Sequence, residues 1–130
     1  MIVHSILYVS DQKKSCEFYA HVLGQSPRLD VPGMTEFQLN SSHVLGLMPE
    51  KGIKTLLGEK MPDPCLGAGI PRVELYIRIE NPEDFLNRAI DNGAILISPI
   101  LNRNWGDRAG YVMDFDGHIL AFAGEGSMND

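Results

Sequence analysis

The strongest constraint on the fold is that the chain repeats itself. Met1 to Val9 is strand-like, with β-forming Ile6, Tyr8 and Val9, and it stops at Ser10-Asp11. Asp11 is suited to cap a helix that carries Cys16, Phe18, Tyr19, Val22 and Leu23 on one stripe, and Gly24 supplies the left-handed residue that ends it. The same grammar returns at Pro71. Val73, Leu75, Ile77 and Ile79 alternate with Arg72, Glu74, Tyr76 and Arg78, which predicts an amphipathic strand. Asn81 then stands as N-cap, Pro82 takes the first helical position, Phe85, Leu86, Ala89 and Ile90 form the stripe, and Gly93 stops it. Laying Leu7-Tyr8-Val9 on Leu75-Tyr76-Ile77 also brings Gly24 to within one residue of Gly93.

Each helix is followed by three strand candidates: near 27–31, 34–39 and 43–48 in the first half, and near 95–100, 109–114 and 118–123 in the second. The last pair in each half is joined by a tight polar turn, Asn40-Ser41-Ser42 or Asp116-Gly117. Each half is therefore βαβββ, and the fold class is α+β. One helix covers only one face of a four-stranded sheet, so the other faces need partners. The expected architecture is two paired modules forming a curved mixed sheet around a central cup, helices outside. A single domain over 1–130 should comprise module one (about 1–50), a Pro- and Gly-rich connector (about 51–69) with a helical turn near Thr55–Lys60, and module two (about 70–125).

Composition narrows the function classes. A net charge of −6, with no basic run, removes the footprint of a nucleic-acid binder. Cys16 and Cys65 lack the paired spacing of a zinc or redox motif and read as reduced thiols. The start has no basic segment followed by an apolar run, and no apolar stretch is long enough to span a bilayer, so a cytoplasmic protein away from membranes is expected.

Several segments carry a family resemblance: His4-Ser5-Ile6-Leu7-Tyr8-Val9-Ser10-Asp11, Phe18-Tyr19 with Leu23-Gly24, Trp105-Gly106-Asp107-Arg108, and Asp114-Phe115-Asp116-Gly117-His118. Together they resemble the vicinal oxygen chelate superfamily of glyoxalase I, bleomycin-resistance proteins and extradiol dioxygenases. The Trp-Gly-Asp-Arg stretch is most similar to the bleomycin-resistance and PhnB-like branches. The resemblance implies four positions around a divalent ion, on the first and last strand of each module. By register these are His4, Gly46, Arg72 and Ala121. His4 can ligate. Arg72 is always protonated and has no lone pair, while Gly46 and Ala121 have no donor atom. A metal site needs three or four donors, so no metal ligands and no cofactor are expected, with a divalent metal as the lesser alternative.

Strand alternation puts His4, Ile6 and Tyr8 on the cup face, and Arg72, Glu74 and Tyr76 on its counterpart. Trp105, in an irregular segment, suits a rim aromatic or packing under a loop, and Asp107 and Arg108 suit an ion pair fixing that loop. Met34, Met48 and Met113 suit an apolar lining or core. His43 and His118 read as turn or surface residues, and Cys65 has no neighbouring base to make it a nucleophile. The function expected is metal-independent binding of a compact aromatic or anionic small molecule by His4, Tyr8, Met48, Arg72, Glu74, Tyr76 and Trp105, in a homodimer. The alternative is a glyoxalase-like lyase or isomerase, or a dioxygenase-type enzyme, using a divalent metal or Glu74 as general base. A third reading is a module that only dimerises and passes a signal to partners.

Overall fold

A computed structural model of the protein describes residues 1–126. The chain divides into two compact units, Met1–Ala68 and the part from Gly69 onward. The first holds β1 (Val3–Val9), α1 (Gln12–Leu23), β2 (Leu29–Val31), β3 (Met34–Asn40) and β4 (His43–Pro49), followed by α2 (Glu50–Leu57) and a 3₁₀ turn, Pro64–Gly67. The second holds β5 (Glu74–Arg78), α3 (Pro82–Asp91), β6 (Ile95–Asn102), β7 (Asp107–Met113) and β8 (Ile119–Glu125). Each unit contains one four-stranded mixed sheet, ordered β1-β4-β3-β2 or β5-β8-β7-β6. The first and last strands pair in parallel and the others antiparallel. This is the α+β, twice-βαβββ arrangement that the repeat predicts.

Local chemistry explains the elements. Asp11 accepts a hydrogen bond from Lys14 N–H (3.0 Å) at the start of α1, and Gly24 closes it at φ 67°. Phe18, Tyr19 and Val22 of α1 are buried with Leu7, Val9, Phe37, Leu45 and Leu47 from one sheet face. Thr35 is buried among them, and its hydroxyl is satisfied by Gln12 Nε2–H (2.9 Å) and by donation to Asp30 (2.9 Å). In the second unit Leu86 and Ala89 of α3 are buried with Leu75, Val112, Leu120 and Phe122, and the Phe85 and Phe122 rings meet at 5.8 Å.

Four details depart from the sequence reading. The connector carries a full helix at Glu50–Leu57 rather than a turn near Thr55–Lys60. Gly52 weakens its helical signal by roughly 1 kcal/mol, and the burial of Ile53 as α2 packs on β1 and β4 restores it. Asn81 occupies the N-cap of α3, but its side chain makes no capping bond; Pro82, Glu83 and Asp84 favour the start instead. β5 begins at Glu74, so Arg72 and Val73 precede it, although Val73 C=O still accepts from Ile119 N–H (3.1 Å). β7 begins at Asp107, two residues before the expected Ala109. Among the described residues no helix is long and apolar enough to cross a membrane.

Candidate functional site

In each sheet the face away from its helix carries a group of polar and aromatic side chains. On β1, Leu7 and Val9 point to the helix, and the alternation leaves His4, Ile6 and Tyr8 on the open face. The parallel register sets Tyr8 beside Met48 and Ile6 beside Gly46, so His4, Tyr8 and Met48 share that face. His4 Nδ1 lies 3.6 Å from Glu36 Oε2. Arg28 holds the other carboxylate oxygen from Nε (3.0 Å) and Nη2 (2.9 Å), and reaches Gln38 with Nη1 (2.6 Å). Glu36 is thus already engaged from two sides.

The second sheet brings together a tighter group. Tyr76 donates its hydroxyl to Asp107 Oδ2 (2.6 Å) and accepts the indole N–H of Trp105 (2.9 Å). Arg78, two residues along β5 and on the same face, grips the same carboxylate with Nε to Oδ2 (3.2 Å) and Nη2 to Oδ1 (2.9 Å). The Tyr76 hydroxyl and then the Arg78 guanidinium hold the Asp107 carboxyl below its usual range. Partial burial, then Asp107, pushes the Tyr76 phenol up. Beside this group Arg103 stacks over Tyr111 (5.2 Å) and donates to Ser98 Oγ (2.7 Å) and Ala109 C=O (2.8 Å). Burial, then the charge of Glu74, raises the Tyr111 phenol.

Small residues on the middle strand make this contact possible. Ala121 lies between Tyr76 and Tyr111, and Ala123 between Arg78 and Ala109, both fully buried. Side chains from β5 and β7 can therefore meet over β8, one strand apart from each other.

One expected contact is different. Asp107 does not pair with Arg108; it turns to Arg78 and Tyr76, while Arg108 bonds Glu83 at the start of α3. Successive strand residues point to opposite faces, which separates the two. Arg72 is exposed and, among the described residues, forms no ion pair with Glu74, which is exposed at the head of β5. Trp105 stands 56% exposed, as a rim aromatic would. Gly46 and Ala121 are not equivalent positions: Ala121 pairs with Tyr76 as Met48 pairs with Tyr8, whereas Gly46 pairs with Ile6. A Cβ at Gly46 would meet Ile6 Cγ1 at 3.1 Å and Met34 Sδ at 3.5 Å, an apolar setting. Of the four positions read from the resemblance, His4 alone offers a donor and Arg72 lies ahead of β5 rather than on it, so those four residues as they stand do not fit that ion.

Sequence reasoning missed Asp107 and Arg78 as the centre of the second-sheet group, because their contact needs the β5-β8-β7 order. It also placed His118 in a turn or at the surface. His118 is buried, 4% exposed, directly after the β7–β8 turn, with Asp114 and Asp116 also buried. Ligating atoms of these three lie within 4.8 Å of one another and could hold a cation. Asp114 Oδ1 already accepts the backbone N–H groups of Asp116 and His118 (2.9 Å each), so the cluster first of all scaffolds the turn. His43, half-buried, meets Ser5 Oγ at 2.7 Å. Cys65 is exposed in the 3₁₀ turn, its thiol raised by Asp63.

The comparisons agree with this fold. Many solved structures share the fold, and three illustrate it. A glyoxalase-related enzyme from Fulvimarina pelagi is 22% identical, with a TM-score of 0.79 over 98% of this chain and 95% of that one. A glyoxalase/bleomycin resistance protein/dioxygenase from Nocardioides is 20% identical, with 0.77 over 98% and 85%. A family member of the same description from Burkholderia phytofirmans is 13% identical, with 0.74 over 94% and 96%. No curated protein matches the sequence. The family model of the glyoxalase-like domain matches residues 2–128, and the chain belongs to that family, within the vicinal oxygen chelate superfamily.

Proposed function

We propose that this glyoxalase-like chain is a metal-independent small-molecule-binding protein, holding a compact aromatic or anionic ligand on the open face of a sheet. The carrying observation is the Trp105–Tyr76–Asp107–Arg78 group, an aromatic and charged surface fixed by hydrogen bonds on the open face of the second sheet. Metal independence is supported by the lack of donors at Gly46, Arg72 and Ala121. Arg72 and Glu74, both exposed and unpaired with each other, leave a guanidinium for an anionic group and a carboxylate that could serve as a base. We further propose that the protein acts as a homodimer in the cytoplasm.

A thermal-shift screen of compact aromatic acids, phosphates and neutral aromatics tests the reading, because a ligand that binds only the folded chain raises its midpoint. We expect hits among these classes, and no change on adding a chelator. Stoichiometric metal on elemental analysis, with a midpoint that falls in chelator, overturns metal independence. Turnover of a screened ligand that is lost in Glu74→Gln would establish the enzymatic alternative.

A further inference from the structure

We propose that Arg103 and Tyr111 form an anion subsite on the open face of the second sheet, which takes the carboxylate of a compact monoanionic ligand. This rests on the small-molecule reading above and deepens it, naming the ligand class and the side chains that hold it. Arg103 follows β6, and its guanidinium is fixed through two of its three nitrogens. Nε (3.1 Å) and Nη2 (2.8 Å) both donate to Ala109 C=O, and Nη2 also meets Ser98 Oγ (2.7 Å) and Pro99 C=O (3.2 Å). Each of these acceptors is neutral, and among the described residues Arg103 forms no ion pair. The Arg78 guanidinium, by contrast, is matched by Asp107. Arg103 therefore carries a half-buried positive charge that is held in place but not compensated.

The groups left over define the ligand. Among the described residues neither Arg103 Nη1 nor the Tyr111 hydroxyl makes a hydrogen bond, so both keep their protons for an outside acceptor. The two belong to one patch: the guanidinium carbon sits 5.2 Å from the centre of the Tyr111 ring, and Ser98, Tyr111 and Ala121 are register partners on the open face. The guanidinium also acts on the phenol through its charge, lowering it against burial and Glu74. Unspent N–H and O–H donors around one positive charge suit an anionic oxygen group. Glu74 acts on the same phenol with the opposite sign and opposes a second negative charge, which favours a carboxylate over a phosphate dianion. Because neutral acceptors of the β6–β7 hairpin order the guanidinium beforehand, that entropy cost is removed from ligand binding.

The probe is cyclohexanecarboxylate, with cyclohexanecarboxamide as its neutral counterpart and cyclohexyl phosphate, at about pH 8, as the dianion. In titrations of the ¹⁵N-labelled chain we expect saturable shifts of the Arg103 Nε–H signal with the carboxylate. The carboxamide and the phosphate should bind about tenfold or more weakly. Arg103→Gln should abolish binding, but it also removes the bonds that pin the hairpin. Tyr111→Phe keeps the ring and takes no hydrogen bond from the folded chain, so folding is not at stake there. It should weaken the carboxylate by about tenfold, as loss of a hydrogen bond to a charged group does.

If the carboxylate fails to bind, leaves the Arg103 signal unmoved, or binds within about twofold of the carboxamide, the anion subsite is wrong. Binding to a folded Arg103→Gln within about twofold of the parent has the same meaning. If Tyr111→Phe binds the carboxylate within about twofold of the parent, Tyr111 has no part in it. A phosphate that binds more tightly than the carboxylate overturns the monoanion assignment. The small-molecule reading is judged separately: ligands from the thermal-shift screen that leave the Arg103 signal unmoved would keep that reading and remove this subsite.

Discussion

Asp107 and Arg108 are neighbours in β7 and point to opposite faces of the sheet. Asp107 joins Tyr76 and Arg78 on the open side, and Arg108 reaches Glu83 on the helix side. One strand end therefore ties two structures together: the polar group around Trp105 and the first turn of α3. The two ion pairs differ in setting, since Asp107 is largely covered whereas Glu83 is half exposed.

The first prediction concerns pH. The Asp107 carboxyl is held below its ordinary value, near 3.9 in the unfolded chain, by the Tyr76 hydroxyl and Arg78. A lowered folded-state pKa gives stability that is fully present above the unfolded value and is lost as pH falls through the folded one. The Tyr76 phenol is raised, so its contribution is present below about pH 10 and is lost as pH rises through the raised value. The gap in thermal midpoint between the parent and Asp107→Asn should hold steady at neutral pH and close below about pH 4. A gap that stays open there would show that Asp107 acts by packing alone.

The second concerns Glu83 and Arg108. Arg108 lowers the Glu83 carboxyl, but both groups are substantially exposed, and exposed pairs are worth about 0.2–1 kcal/mol. Glu83 also sits in the positive first turn of α3. Glu83→Gln should lower stability by no more than about 1 kcal/mol in urea titration, with the loss shrinking in high salt. A cost of several kcal/mol would mean that this pair holds β7 to the helix.

The third tests the β7–β8 turn. Gly117 has φ 95°, and a Cβ there would come 2.7 Å from the backbone carbon of Gly69. Left-handed geometry costs other residues roughly 1–2 kcal/mol, and the backbone contact adds to that. Gly117→Ala should therefore destabilise by about 2 kcal/mol or more, read as a lowered urea midpoint with unchanged slope. A loss under about 0.5 kcal/mol would show that the Asp114–His118 turn relaxes freely.

What was legible in the sequence follows from what is local. The stripe of α1 with Asp11 and Gly24, and the alternation of Leu75 with Tyr76, depend on residues a few positions apart, so the two βαβββ units could be read directly. The helix Glu50–Leu57 could not, because Gly52 weakens its pattern and its stability comes from Ile53 packing on distant strands. Adjacency alone points Asp107 to Arg108. Its true partners are 29 and 31 residues away and meet it only over Ala121 and Ala123. The burial of His118 is illegible for a similar reason: a polar residue after an Asp-Gly turn looks exposed in sequence, and only the folded turn covers it.

The fourth prediction is the oligomeric state. β6 is an edge strand, and it exposes Ile95, Leu96 and Ile97. Its register shifts on either side of Ser98, with Pro99 following, are features that blunt an edge against open-ended pairing. A closed dimer covers such residues without forming a fibre. Sedimentation at roughly tens of micromolar, stringent for an interface of standard size, should show a dimer that Ile97→Lys weakens. A monomer at that concentration would argue against the dimer.

The last prediction concerns Ala121, which reads in the superfamily pattern as a metal position without its ligand. In the register it is the floor on which Tyr76 and Tyr111 lie, one on each side, and it is fully buried. On this account its small size is required for packing, because a longer side chain would lift Tyr76 away from Asp107 and release the indole of Trp105. Overpacking a filled site costs about 1–3 kcal/mol. Ala121→Leu should lower the urea midpoint by that amount and shift the emission of the lone tryptophan, while Ala121→Gly should cost about 1 kcal/mol and leave the emission unchanged. If Ala121→Leu is neutral in both measurements, there is spare room above β8. The position would then be a cavity waiting for a ligand, not a floor beneath the two tyrosines.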